Sequence, residues 1–152
     1  MNIATRLADP EIIIIDGAMG TELQRRGVPL NFEIWSAAAL LSHPQLVQEI
    51  HVDYIRAGAE IQIAATYNTA PHVINPSSFD TTSRELTATA LQLVREGIDV
   101  AEPAHPVWIA GSISTTVESR RKEMLDISML RDSFTEHAEN LAEEGCDLLM
   151  LE

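Results

Sequence analysis

The sequence is poor in cysteine and in basic residues. Its single cysteine, Cys146, excludes an internal disulfide framework and cannot by itself form a cysteine-rich zinc site. Lysine and arginine together number 10 against 23 acidic residues, which gives a formal net charge of −13. Such an acidic chain is poorly suited to bind a nucleic-acid backbone or an anionic membrane surface. The longest basic cluster, Arg120-Arg121-Lys122, does not change that conclusion.

Long hydrophobic runs are also missing. No apolar run approaches the ~20 residues that a membrane-spanning helix needs, and residues 1–11 lack the apolar core of a signal peptide. Apolar residues nevertheless make up 45% of the chain and charged residues 22%, which favours a packed core over disorder. A length of 152 residues fits one ordinary domain. We therefore expect a soluble, cytoplasmic α/β domain.

Several motifs of well-known enzyme classes do not occur. The sequence contains no GxGxxG and no GxxxxGK[ST] phosphate-binding loop. It contains no GxSxG nucleophile elbow and no HExxH zinc motif. None of the five histidines pairs with another at the (i, i+4) spacing of two ligands on one helix face. These absences argue against a nucleotide-binding loop, a serine hydrolase and a histidine-based metal site.

Short apolar runs alternate with helical patterns along the chain. The runs predict four buried strands, at residues 12–15, 61–65, 107–110 and 148–151. The longest helical patterns lie between them, at residues 44–57, 83–100 and 129–144, the last with Ser128 as a plausible N-cap. This alternation predicts parallel strands joined by right-handed crossovers. In such folds the loops after the strands carry the chemistry.

Two carboxylates stand at predicted strand ends. Asp16-Gly17 follows the first strand, and Glu152 follows the fourth. Because parallel strands end at the same rim, the two carboxylates could converge there to bind an amine or to perform acid–base work. The glycine would let a ligand approach the backbone closely. The alternatives are an Asp-Gly turn that caps the next helix and a solvated Glu152.

Five further side chains, in predicted strands, helices and loops, call for an interpretation. Thr66 follows the second strand and could contact a ligand or form structural hydrogen bonds. Trp35 could wall a pocket or simply pack in the core. His51 and His137 lie on predicted helices, where we expect partial exposure. Cys146 precedes the fourth strand, at the end opposite the active rim, and is interpreted as a small hydrophobe rather than a nucleophile.

One segment resembles a known family. The run DGAMGTEL at residues 16–23, followed by QRRG at 24–27, is similar to the opening signature of the homocysteine S-methyltransferases. Further similar segments follow in the family's order and cover nearly the whole chain. They are WSA at residues 35–37, HVDYIRAGA at 51–59, TY at 66–67, AGSI at 110–113 and EEGCDLLMLE at 143–152.

The resemblance implies a fold and an activity. Members of this family are (β/α)8 TIM barrels that transfer a methyl group from a sulfonium or ammonium donor to homocysteine, forming methionine. A zinc ion held by three cysteines lowers the thiol pKa, so that a nucleophilic thiolate exists at neutral pH. Carried onto this sequence, the resemblance assigns Asp16 and Glu152 to the homocysteine amino group. It also makes Gly17 a point of backbone access, Trp35 a pocket wall and Thr66 a pocket-lining residue.

The chain matches only part of the family pattern. Residues 1–152 correspond to the N-terminal half of the barrel, with the first four strands. The family's zinc cysteines belong to the second half, so zinc is expected for the family while its ligands are absent here, and Cys146 matches none of them. The asparagine usual before the Thr-Tyr pair is replaced by Ala65. The resemblance therefore predicts a half-barrel that binds no zinc and is inactive alone.

Two other hypotheses remain open. The chain could be a genuine half-barrel that binds an amino acid without catalysis or associates with itself through open sheet edges. Alternatively, it could be an unrelated enzyme of flavodoxin-like topology, in which case the DGAMGTEL match would be coincidental.

Overall fold

The computed structural model describes residues 2–114 and 126–152, and it has an α/β fold as the sequence predicted. The basic triplet at 120–122 lies outside the described residues. The seven helices of the described part are α1 (Ile3–Leu7), α2 (Met19–Arg25), α3 (Ala38–Ser42), α4 (Pro44–Arg56), α5 (Pro71–Ile74), α6 (Ser83–Ala101) and α7 (Ile127–Glu143). Its three strands are β1 (Ile61–Ile63), β2 (Trp108–Ile113) and β3 (Leu148–Leu151). No helix within the described ranges is long and apolar enough to cross a membrane.

The three strands form one parallel sheet in the order β1-β2-β3. The predicted first strand, residues 12–15, is not a regular strand, and we call it the edge segment. It runs beside β1 through a single parallel bridge between Ile15 and Ile61, and Asp16 N donates to Ile61 O at 3.0 Å. The expectation of a strand buried on both faces was wrong here, since Ile12 is 83% exposed. The edge segment pairs on one side only in the described part of the chain.

The long helices begin and end close to the predicted positions. α4 starts at Pro44, whose fixed φ suits the first helical turn. α6 starts with a capping box, in which Thr82 and Glu85 satisfy each other's backbone N–H groups. The N-cap of α7 is Asp126 rather than Ser128, because the Asp126 carboxylate accepts the N–H groups of Ser128 and Met129.

The sheet has one face covered by helices and one face partly covered by the N-terminal residues. Ile50, Leu91 and Leu141 of the three long helices are fully buried in the main core. On the opposite face, Ile61, Trp108 and Ala110 form a second cluster, which Ile3 and Ile13 help to cover. α1 therefore packs against this face of the sheet.

A buried ion pair fastens α1 to the start of β1. Arg6 is almost fully buried, and its Nε donates to Glu60 Oε2 at 2.8 Å. The Arg6 guanidinium also donates to the carbonyl groups of Glu11 and Ile12. These contacts fix the edge segment against β1 and so position Asp16, which directly follows it.

Candidate functional site

An open cavity of about 440 Å³ lies at the carboxyl ends of the strands. The edge segment, β1 and β2 contribute to it, as does Glu152 directly after β3, which is the place expected for a ligand site in a parallel α/β fold. The lining residues are Ile15, Asp16, Gly17, Ala18, Met19, Gly20, Thr21, Trp35, Ser36, Ile63, Ala64, Ala65, Tyr67, Ser112 and Glu152. Four of the five predicted site residues belong to this set.

The Asp16 carboxylate is the most unusual group of the cavity. Its side chain is only 2% exposed, and Oδ2 accepts the N–H of Ile63 at 2.9 Å. Oδ1 is buried and has no hydrogen-bond partner among the described residues. A buried acceptor without a donor costs free energy. The arrangement is therefore suited to a ligand that brings its own N–H or O–H donor.

The environment of Asp16 disfavours its negative charge. Burial, the largest cause, and the negative charge of Glu152 together raise the pKa of Asp16 from an ordinary value of 3.8 to about 7, against the lowering effect of the Ile63 hydrogen bond. An ammonium group placed between the two carboxylates would reverse this balance. A bound cation would therefore lower the free-energy cost of ionising Asp16 beside Glu152.

His51 lies behind Asp16 but does not neutralise it. Its Nδ1 is 3.9 Å from Asp16 Oδ2 and 3.0 Å from Gln62 Oε1. Burial lowers the pKa of His51 to about 4, so the imidazole is neutral at pH 7. Because the Gln62 oxygen can only accept, Nδ1 carries the ring proton. The expected partial exposure was wrong, since His51 and Gln62 are both completely buried.

Glu152 reaches the same cavity from the end of β3. Its Oε1 accepts the hydroxyl of Ser112 at 2.6 Å, and its N–H donates to Ile113 O at 3.1 Å. The carboxylate is therefore held by a side chain of the neighbouring strand β2. Asp16 and Glu152 converge on one cavity, as the strand-end argument predicted.

Thr66 does not line the cavity, contrary to expectation. It is completely buried, and its hydroxyl accepts the N–H of Ser112 at 2.9 Å and donates to Ser112 O at 3.0 Å. β1 pairs with β2 only as far as Ala110, so the Thr66 hydroxyl serves the Ser112 backbone beyond that point. His137 is also fully buried rather than partly exposed, and its Nε2 lies 3.3 Å from Ser112 O.

Gly17 is required by a close approach. A Cβ atom at this position would lie 2.7 Å from the hydroxyl oxygen of Tyr54 and 2.9 Å from two of its ring carbons. The Tyr54 hydroxyl donates to Ala18 O at 3.4 Å, which holds the ring against this turn. The glycine thus leaves room for Tyr54 as well as for a ligand.

Two aromatic side chains border the cavity. Trp35 is half exposed and has a left-handed backbone conformation with φ of 53°. The hydrogen bonds from the N–H groups of Glu33 and Ile34 to Asn31 Oδ1 shape the turn that presents it. Tyr67 contributes the second ring. Ala65 also lines the cavity.

Ser112 is a residue of the site that the sequence did not predict. It lies just after the predicted third strand, and no sequence signal links it to Glu152, 40 residues away. The pairing of Ser112 with Met150 in the β2–β3 register places its side chain on the face that Glu152 also occupies. The alternation of side chains between the two faces of β2 and β3 could have placed Ser112 beside Glu152. It does so only when the register of β2 against β3 is known.

The described residues do not fit the zinc ion that the family resemblance implies. Zinc prefers several cysteine or histidine ligands, and no group of three or more metal-capable side chains occurs in the described parts of the chain. Cys146 precedes β3, about 20 Å of extended chain from Glu152. Burial also raises the pKa of its thiol, which disfavours a thiolate. Cys146 packs against the main core, as its interpretation as a hydrophobe predicted.

Comparisons with known proteins agree with this architecture. A family model described as homocysteine S-methyltransferase matches residues 13–152. The chain is 30% identical to the homocysteine S-methyltransferase of Escherichia coli K12, over 93% of this chain and 50% of that protein. It is 30% identical to a selenocysteine methyltransferase of Astragalus bisulcatus, over 91% and 49% respectively. The chain thus spans about half the length of the curated relatives it matches.

A solved structure gives the same result in three dimensions. The metallated form of the homocysteine methyltransferase MmuM from Escherichia coli superposes with a TM-score of 0.81 and 30% identity. The match covers 97% of this chain and 56% of that protein. The three-stranded parallel sheet is consistent with part of a barrel. On the sequence match over residues 13–152 and this structural similarity, the chain belongs to the homocysteine S-methyltransferase family.

Proposed function

We propose that this chain supplies the amino-acid-binding part of a homocysteine S-methyltransferase. In that reaction a methyl group leaves a sulfonium or ammonium donor and forms a bond with the sulfur of homocysteine. The observation that carries the proposal is the buried Oδ1 of Asp16, which has no hydrogen-bond partner in the described part of the chain and lines a cavity together with Glu152. Two carboxylates that line one cavity form a site that is complementary to the substrate ammonium group.

The remaining walls suit the rest of the reactants. The cavity is lined mainly by apolar and small residues, which can enclose the carbon chain of homocysteine. Trp35 and Tyr67 present aromatic rings, and aromatic faces attract cations such as a sulfonium or quaternary ammonium group. The described residues hold no zinc site, so the role proposed for this chain is to bind and orient. We expect the chain alone to be catalytically inactive.

Calorimetric titration with L-homocysteine tests the proposal directly. We expect saturable binding to the wild-type chain and at least tenfold weaker binding to Glu152→Gln, because one of the two ammonium partners loses its charge. N-acetyl-homocysteine, which lacks the ammonium group, provides the matched ligand control and should not bind measurably. Equal affinity for the two ligands would refute the proposed amine site.

A second candidate function, self-association, is favoured by the exposed apolar residues at both sides of the sheet. Ile12 and Ile14 of the edge segment and Leu149 and Leu151 of β3 are all exposed. The edge segment and the three strands make four parallel extended segments, and two copies would supply the eight strands of a closed barrel. Under this proposal the edge segment of one copy pairs with β3 of the other.

A further inference from the structure

Arg6 is a buried cation that does not line the cavity but is joined to it through the edge segment. It lies before residue 13, where the match to the family model begins, and only 6% of it is exposed. Its guanidinium binds both carboxylate oxygens of Glu60, through Nε at 2.8 Å and Nη2 at 2.9 Å. It also donates to Glu11 O at 3.2 Å and to Ile12 O at 3.0 Å. One planar side chain therefore ties α1 to the edge segment and to the start of β1.

Polar contacts contribute more than apolar burial to holding the edge segment against β1. The N–H groups of Glu60 and Ile61 both donate to Ile14 O, at 2.8 and 3.3 Å. The side chains of Ile12 and Ile14 are 83% and 52% exposed, so they gain little free energy from burial. The position of the edge segment therefore depends on its hydrogen bonds, and Arg6 supplies those at its beginning.

Asp16 follows the other end of the edge segment. Its N–H donates to Ile61 O at 3.0 Å, and its Oδ2 accepts the N–H of Ile63 at 2.9 Å. The distance from Ile12 to Asp16 is about 13 Å of extended chain. Residues 13–15 between them are all isoleucines, which favour extended backbone. A displacement at the beginning of the edge segment is therefore transmitted to Asp16 rather than absorbed by a flexible turn.

We propose that Arg6 is a positioning residue, which anchors the edge segment and thereby holds the Asp16 carboxylate in the cavity. This inference rests on the proposed function insofar as the positioned carboxylate binds an ammonium group. It gives α1 a part in ligand binding, although the residues of α1 do not line the cavity. Lysine could replace the charge of Arg6 but not its four donated hydrogen bonds, because an ammonium group lacks the fork geometry of a guanidinium.

The ionisation of Asp16 reports on its position without any ligand. In Arg6→Met an unbranched apolar side chain replaces the guanidinium, and we expect the edge segment to loosen and water to reach Asp16. The pKa of Asp16, measured by NMR titration, should then fall from about 7 toward the ordinary value of 3.8. Loss of a positive charge would by itself raise the pKa of a carboxyl group, so the direction of the shift separates position from charge. Arg84→Met, which breaks the exposed ion pair with Glu143, is the matched control and should cause no shift.

Hydrogen exchange distinguishes local loosening from a general loss of stability. We expect the Asp16 N–H to exchange about tenfold faster in Arg6→Met, as for the loss of a hydrogen bond to a charged group. The Ala64 N–H, which bonds Ala110 O between β1 and β2 at 2.9 Å, should change by less than about threefold. Equal acceleration of both amides, or an unchanged Asp16 pKa, would overturn the positioning role.

Binding measurements separate this inference from the proposed function. We expect Arg6→Met to weaken homocysteine binding about tenfold, because a misplaced carboxylate loses a charge-assisted hydrogen bond to the ammonium group. A lowered Asp16 pKa in Arg6→Met together with no homocysteine binding by the wild type would retain the positioning role and reject the proposed function. Homocysteine binding by the wild type that is unchanged in Arg6→Met would retain the proposed function and reject the positioning role. If Arg6→Met does not fold, Arg6→Lys serves for the same measurements.

Discussion

At the scale of single residues, the ionisation of Asp16 makes the free energy of unfolding depend on pH. The folded protein keeps the carboxyl group protonated up to about pH 7, whereas the unfolded chain ionises it above 3.8. The folded state therefore binds more protons between these pH values, and its stability falls as pH rises through that range. A shift of about three pKa units corresponds to up to about 4 kcal/mol.

Replacement of Asp16 by asparagine should therefore stabilise the protein at high pH. Asparagine can still accept the Ile63 N–H, and it carries no charge. We expect the free energy of unfolding of Asp16→Asn to exceed that of the wild type at pH 8 and to approach it at pH 4. Urea titrations at both pH values measure this difference. The same difference at both pH values would show that ionisation of Asp16 is not the cause.

The affinity for an ammonium ligand should rise with pH, whereas the stability of the protein falls. An ammonium ligand prefers the ionised form of Asp16, and without such a ligand this form becomes dominant only above about pH 7. We expect homocysteine affinity to rise between pH 6 and pH 8 and to fall about tenfold per pH unit well below 7. Calorimetry across this range measures the slope. An affinity that stays flat down to pH 5 would contradict a role for the Asp16 charge.

Gly17 offers a steric test at the same scale. In Gly17→Ala the new Cβ would overlap the Tyr54 ring, and we expect a loss of about 1–3 kcal/mol, as for other overpacked sites. Tyr54→Ala should remove most of that loss in a double-mutant cycle. Gly20→Ala is the control, because its Cβ would meet Trp35 only at 3.5 Å, an ordinary contact distance. Thermal unfolding of Gly17→Ala, Tyr54→Ala, the double variant and Gly20→Ala measures the loss of stability in each.

At the scale of elements, Asp126 and Ser128 are the two candidates for the N-cap of α7. The sequence pattern favoured Ser128, but in the structure the Asp126 carboxylate accepts the first N–H groups of the helix. We expect Asp126→Ala to lower the melting temperature by a few degrees, because an N-cap side chain satisfies otherwise unpaired donors. Ser128→Ala should have a smaller effect. A larger effect for Ser128→Ala would restore the sequence-based assignment.

At the scale of the whole molecule, the exposed sheet edges predict self-association. Light scattering after gel filtration should give a mass twice the 16.7 kDa of one chain. Ile14→Lys and Leu151→Lys should each weaken the dimer, since either charge would lie within the new strand pair. Val100→Lys replaces a similarly exposed residue of α6, away from both edges, and should leave the mass unchanged. A monomer at every concentration would reject the closed pair.

The metal content of the purified chain provides a second test at this scale. Because the described residues offer only Cys146 as a thiol ligand and no cluster of three donors, we expect far less than one equivalent of zinc after dialysis. Elemental analysis measures this value. One tightly bound zinc ion per chain would show that the ligand set is different from the one described above.

The sequence by itself determined the alternation of the three long helices with the three regular strands, the family and the convergence of Asp16 and Glu152. Apolar runs and helical periodicity are local properties, and parallel strands necessarily end at a common rim, so these conclusions needed no coordinates. The motif at residues 16–23 then identified the family, which the sequence and structural comparisons confirmed.

Only the tertiary structure decided how the polar side chains are used. Thr66 faces Ser112 rather than the cavity, and His51 and His137 are buried and neutral, because their surroundings come from segments far apart in the chain. The raised pKa of Asp16 likewise depends on burial by several elements at once. The edge segment has the composition of a buried strand but lies at the border of the sheet, since composition records hydrophobicity and not the number of neighbours.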